Sequence, residues 1–277
     1  MKLRKIISIM IVIVGVGTAS YPFISNYIYE NQAKSEVTSL TKKVNDTNKK
    51  LIDKEVLRAD EYNKNLLNSG SVFTDPFDEK KETLSKSYNG LLNMNADGMM
   101  GYIEIPVISV TLPIYHTSNP DVLEKGAGHL QGSSLPTGGV GTHTVITAHT
   151  GLNRAKMFTD LTEMSVGDVF YITVLGKRMA YRVYDIKVIK PENIGILSIK
   201  PDKDNATLVT CTPYGINTHR LLVMGERTDI KADSEPTKTK KYISRWQSDY
   251  IISVLAGLSA TLIFITVVKV INKIRIR

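Results

Sequence analysis

The chain of 277 residues holds one cysteine, Cys211, so no internal disulfide forms and the thiol is inert, intermolecular or reactive. It has no C-x-x-C, H-E-x-x-H or paired-histidine spacing, so neither a metal site nor a cofactor is expected. Charge is missing from two long stretches. Ile6 through Tyr29, "IISIMIVIVGVGTASYPFISNYIY", carries none, and neither does Tyr250 through Val268, "YIISVLAGLSATLIFITVV". Each has the length of the ~20 apolar residues that cross a hydrocarbon core, and uncharged runs of this length are unusual among buried core helices.

Acids are absent from residues 1–5 and 269–277, the outer flanks of these runs. Lys2, Arg4, Lys5, Lys269, Lys273, Arg275 and Arg277 account for seven of the net +8, leaving about +1 for the rest of the chain. The basic balance therefore describes membrane flanks and gives no reason to expect nucleic acid. By the positive-inside rule both termini lie in the cytoplasm and the middle lies outside. The first run also fits a secretory signal, with "GTAS" before Tyr21 as a weak cleavage site.

The expected organisation is a basic flank 1–5, a transmembrane or signal segment 6–29, a helical region 30–98 and a β-rich domain 99–228. A tether 229–249, a second transmembrane segment 250–271 and a basic tail 272–277 follow. In the helical region Val37, Leu40, Val44, Leu51 and Leu67 sketch a thin apolar stripe, enough for one or two helices packed on something larger. The loop 68–82 breaks it with Pro76 and the aromatics Phe73 and Phe77. From Met99 onward, β-branched and aromatic runs alternate with Gly, Pro, Asn and Asp clusters, which argues for a closed or sandwiched all-β domain.

Cys211 ends one such run, and "TLVTCTPYGINTHRLLV" returns with Arg220. If the two strands pair as a wide hairpin, thiol and guanidinium lie nearly opposite each other. A cysteine nucleophile needs a base or a cationic neighbour. Of the five histidines, His149 fits best, because "VITAHTG" carries it out of an apolar strand into a loop. His143 belongs at the other end of that strand. The bland alternatives are a small buried hydrophobe for Cys211 and a satisfied structural imidazole for His149.

The segment "TLVTCTPYGINTHRLLV" resembles the Cys and Arg motif of sortases, and "GGVGTHTVITAHTG" resembles the segment bearing their histidine. With "GYIEIPVISVTLPIY" and "GAGHLQGSSLPTGG" in the same order, the likeness covers the whole β block. The residue before the family's histidine is most often Gly and is Ala148 here; the residue after it is often Arg and is Thr150 here. The resemblance implies a closed eight-stranded β-barrel in a Gram-positive cell envelope, mainly β, with N-terminal helices and flanking transmembrane segments. Cys211 would be the nucleophile, His149 the general acid/base and Arg220 the group that holds substrate and oxyanion. Thr210 and Thr212, on either side of the thiol, are expected to touch the substrate.

"TDPFDE" is similar to the lid of class C, pilus-assembling sortases, with Asp75 meeting the positive site, Pro76 turning the chain and Phe77 covering the thiol; an ordinary turn is the bland reading. That subclass implies transfer of an LPxTG-like sorting signal, cut between Thr and Gly, to a lysine of another pilin subunit. The expected partners are pilins and the membrane, around a monomeric ectodomain. One alternative is a class A housekeeping sortase that attaches proteins to a peptidoglycan precursor. Another is a surface protein that is itself a sorting substrate, but "SEPTKTKKYISRWQSD" lacks the L-P-x-T-G that signal requires, and "LPTGG" at 135–139 lies in mid-domain.

Overall fold

The computed structural model describes residues 2–70, 74–77, 86–152, 154–230 and 245–275. The chain divides into two compact units, one made of Met1–Tyr21 and Ile243–Arg277, the other of Pro22–Tyr242. In the first, the start of helix α1 (Lys2–Asp46) accompanies helix α5 (Arg245–Arg275), and the Tyr250 hydroxyl donates to the Ala19 carbonyl at 3.0 Å. Ile11, Val14, Leu255 and Leu258 point outward from these helices, as lipid-facing side chains do.

Among the described residues, α1 alone is long and apolar enough to cross a membrane; the apolar stretch of α5, Tyr250–Ser259, is shorter. The expectation of two spans is thus met at the N-terminal end alone. Helix α1 runs on past residue 30 to Asp46, with Pro22 inside it.

In the second unit, α1 gives way to α2 (Lys49–Ser69). Asn48 caps that helix, its side chain accepting the Lys50 N–H at 2.9 Å, and Gly70 (φ +82°) closes it by donating to the Leu66 carbonyl. The side chains facing the barrel are Ile52, Val56, Ala59 and Asn63, while Leu51 is exposed. The stripe read from sequence was one residue out of phase there, because Asn63 is buried for its hydrogen bonds. Its amide donates to the Leu135 carbonyl and the Thr137 hydroxyl, and its oxygen accepts the Leu135 N–H, which docks the "LPTGG" segment on α2.

Eight strands close a barrel in the order β1-β2-β3-β4-β7-β8-β6-β5. They are β1 (Met99–Ile105), β2 (Val110–His116), β3 (Ala127–His129), β4 (Thr142–Thr147), β5 (Val169–Val174), β6 (Lys177–Ile189), β7 (Asp204–Thr212) and β8 (His219–Thr228). A short helix α3 (Lys86–Asn89) precedes β1, and α4 (Pro120–Leu123) links β2 to β3. Pairing is parallel in β2–β3 and β4–β7 and antiparallel elsewhere, with β5 on β1 completing the circle.

Local sequence explains the corners. Pro106 opens a 3₁₀ turn, Pro106–Ile108, which divides β1 from β2. Leu175 (φ +49°) and Gly176 (φ +80°) form the two-residue connection of β5 and β6, the positive-φ geometry that matches strand twist. Gly101 lies at the bulge of β1, where a Cβ would stand 2.3 Å from the Thr173 carbonyl oxygen.

Both faces of β7 and β8 are buried. Ala206, Leu208, Leu221 and Val223 join the main core, whereas Val209, Leu222 and Met224 join an outer cluster with Leu130, Val145, Ile194 and Leu197. Two histidines sit in the wall as neutral struts. His129 Nε2 faces the Ser134 carbonyl and so carries the proton, leaving Nδ1 to accept from Tyr88 Oη at 2.7 Å. His143 Nδ1 faces the Ser198 carbonyl, and its Nε2 accepts from Thr207 Oγ1 at 2.8 Å.

Burial pushes both imidazoles down to about 4. The unfolded chain therefore binds protons that the folded chain refuses between pH ~6.5 and about 4, and stability falls as pH drops through that window. Thermal melting at pH 7 and pH 5 checks this: the midpoint is expected to fall at pH 5, and to fall less in a His143→Gln variant.

Candidate active site

Strand β7 places the thiol and strand β8 the guanidinium: their register pairs Cys211 directly with Arg220. Strand β4 runs parallel to β7 and places His149 two residues past its end. Alternation sends Cys211 and Arg220 to the outer face, with Val209 and Leu222. Thr210 goes to the inner face, with Ala206 and Leu208.

The "DPF" segment covers this corner. Asp75 binds Arg220 through both carboxylate oxygens, Oδ1 to Nε at 2.8 Å and Oδ2 to Nη2 at 2.5 Å. Nη1 of Arg220 donates to the carbonyls of Asn217 and His219. Pro76 is buried, and Phe77 lies between the other groups: its ring is 6.0 Å from the His149 ring, and the Arg220 Cζ is 5.1 Å from its centre. Phe77 also packs on the outer cluster. Its wall includes Ile194 and Leu197 of the 3₁₀ segment Pro191–Leu197, which the sequence reading passed over although Pro191 and Gly195 mark it.

Burial pushes the Cys211 thiol up to about 11; Arg220 opposes that rise and Asp75 adds to it. His149 is pushed down, chiefly by burial, with Glu124 favouring the imidazolium and Arg154 opposing it. Arg220 stays charged: burial works against the cation, and Asp75, Cys211 and Glu192 together outweigh it. The covered site therefore holds a neutral thiol beside a guanidinium whose forked face is already occupied.

Thr210 faces the barrel interior. It is 1% exposed, and its hydroxyl donates to the Ala148 carbonyl at 2.7 Å, so the side chain expected to touch substrate is engaged within the barrel wall. Ala148 N–H donates in turn to the Val209 carbonyl, so two bonds fasten the residue before His149 to the strand bearing Cys211. Thr212 is half-buried at the end of β7. Glu124 and Arg154, which set the field at His149, carry no local sequence signal; they meet across 30 residues. Among the described residues no group of His, Cys, Asp and Glu side chains could hold a metal ion.

A family model, the sortase domain, matches residues 103–228. A solved Streptococcus pneumoniae sortase C, whose study concerns catalysis and pilin substrate specificity, is 41% identical. The match covers 72% of this chain and 98% of that one, with a TM-score of 0.66. Sortase C1 of Streptococcus agalactiae is 39% identical over 71% of this chain and 100% of its own, with a TM-score of 0.65. Sortase D of Bacillus subtilis is 28% identical over 130 residues, which span 46% of this chain and 63% of that protein.

Because Asp75 is one of the groups that hold the thiol pKa up, Asp75→Asn should move the pH profile of Cys211 alkylation to lower pH and raise the rate at pH 8. Iodoacetamide labelling followed by mass spectrometry reads both effects. An unchanged midpoint would remove Asp75 from the thiol's electrostatics.

Proposed function

This chain belongs to the sortase family of cysteine transpeptidases, and we propose that it joins pilin subunits under the control of the Asp75–Phe77 lid. The observation that carries the proposal is the two-point Asp75–Arg220 pair over Cys211, in a chain whose structural relatives are class C enzymes. The pilin specificity named for the pneumococcal enzyme supplies the substrate class.

The chemistry follows from the groups. Sγ of Cys211 attacks the Thr carbonyl carbon of an LPxTG-like signal, and the oxyanion that forms takes the Arg220 donors that Asp75 has vacated. Collapse breaks the Thr–Gly bond as His149 gives its proton to the leaving amine, and a thioester remains. A lysine amine of a second subunit then attacks the thioester. His149 takes the amine's proton, Sγ leaves as thiolate, and an isopeptide joins the two chains.

The resting site works against the first step twice. With ordinary pKa values the thiolate–imidazolium form is on the order of one per cent of molecules at pH 7. Burial and Asp75 raise the thiol, and burial lowers His149, which makes that form rarer while the lid is closed. Lid departure admits substrate, removes a carboxylate from beside the thiol and frees the guanidinium. The apolar start of α1 fits a membrane anchor, with the barrel on the cell-wall side; we assign α5 as a second span, both termini inside.

Incubation with purified pilin subunits tests the assignment: a ladder resistant to reducing agent is expected from the wild type and none from Cys211→Ala. A ladder from the Ala variant would sink it. Transfer to a peptidoglycan stem peptide in preference to pilin lysine would move the protein to the housekeeping class. For the lid, Asp75→Ala and Phe77→Ala are each expected to speed peptide cleavage and thiol alkylation several-fold. Unchanged rates in both would show that the segment is no gate.

A further inference from the structure

We infer that Asn26, about one turn past Pro22 on α1, is a positioning residue for His149, holding the segment behind the imidazole against the anchor helix. The inference rests on the reading of His149 as the acid–base group. Asn26 is 6% exposed, and its Oδ1 accepts the Lys156 N–H at 2.8 Å, a bond between residues 130 apart. The orientation of its amide is pinned from the other side, since Nδ2 donates to Glu30 Oε1 at 2.9 Å.

Lys156 is in turn locked. Its Nζ donates to the Ile108 carbonyl at 2.6 Å and pairs with buried Asp160 at 3.0 Å. Two residues on, the Phe158 N–H donates to the carbonyl of His149 itself at 3.1 Å, and Phe158 is fully buried. Between them Met157 takes φ +41°, a conformation that an unbranched side chain keeps only where its neighbours over-determine it. Backbone displaced at Lys156 is therefore passed to His149 through one strained residue and one hydrogen bond.

A second path closes the same triangle. Tyr29, three residues along α1 from Asn26, donates its hydroxyl to the Lys125 carbonyl at 3.0 Å. The adjacent Glu124 carbonyl accepts from Arg154 Nη2 at 2.7 Å, and Arg154 belongs to the stretch behind His149. One turn of α1 thus holds both sides of that stretch, directly at Lys156 and through residues 124–125 at Arg154. Glu124 and Arg154 are also the charges that His149 senses, so the helix fixes both the position of the ring and its field.

The test uses the full-length chain in detergent micelles with a fluorogenic LPxTG peptide, comparing wild type, Asn26→Leu, which fills the volume without an acceptor, and Asn26→Asp, which keeps the oxygen for Lys156. Asn26→Leu is expected to lower kcat of acylation roughly tenfold with KM and the alkylation rate of Cys211 unchanged, and Asn26→Asp to restore most of it. The His149 imidazole resonance, assigned with His149→Gln, should shift in Asn26→Leu and return in Asn26→Asp. A folded Asn26→Leu with wild-type kcat and an unmoved resonance overturns the inference. If the wild type itself fails to cleave the peptide, the functional reading fails instead, and the resonance still decides whether Asn26 positions His149.

Discussion

The site depends on the double pairing of β7. This one strand runs parallel to β4 and antiparallel to β8, so its register fixes both partners of the thiol at once. A shift of one residue against β8 would carry Arg220 away from Cys211 and turn the thiol inward, since successive side chains face opposite ways. Burial of both faces of β7 and β8 makes such a slip costly, because it would exchange the residues of the main core with those of the outer cluster. The Thr210 hydroxyl extends the fastening past the last backbone pair, Thr147 with Val209, to the residue before His149.

Arg220 shows how one cation can serve two states. A guanidinium that is 7% exposed and lacked a carboxylate or an oxyanion would pay the cost of burial without compensation, about 3–5 kcal/mol where a buried pair loses one member. Asp75 supplies the compensation while the site is covered, and in the proposed mechanism the substrate's developing charge would supply it during reaction. Phe77 adds apolar contact to the same closed state by resting on the outer cluster. Charge and apolar packing together hold residues 75–77, which among the described residues lie in no strand.

Much of this was legible in the chain. The alternation through Thr207, Val209 and Cys211, and the interval to Arg220, are strictly local properties, and they yielded the register that pairs thiol with guanidinium. The "DPF" segment was singled out by its likeness to a class C lid; by itself an acid, a proline and an aromatic in a polar loop read as an ordinary turn. Strand β3 was not read as a strand: Ala127–His129 is three residues long and acquires its identity from neighbours on both sides. The phase of α2 was misjudged at Leu51, since apolar periodicity has no means of registering a buried Asn63. The bond from Thr210 to Ala148 was not legible, because sequence adjacency to Cys211 says nothing of what a hydroxyl on the inner face meets. The bond from Asn26 to Lys156 has no local sequence signal at all.

The parallel β4–β7 ladder has a consequence in time. Ala148 and Thr210 meet across 62 residues of chain, and Arg220 arrives only with the last strand. Contacts of such long range are made late, after the entropy of closing the intervening loop has been met. Cys211 therefore gains its neighbouring imidazole and guanidinium late in folding, when β7 has found both β4 and β8. Its acyl-transfer chemistry begins only when the barrel closes and brings the three groups together.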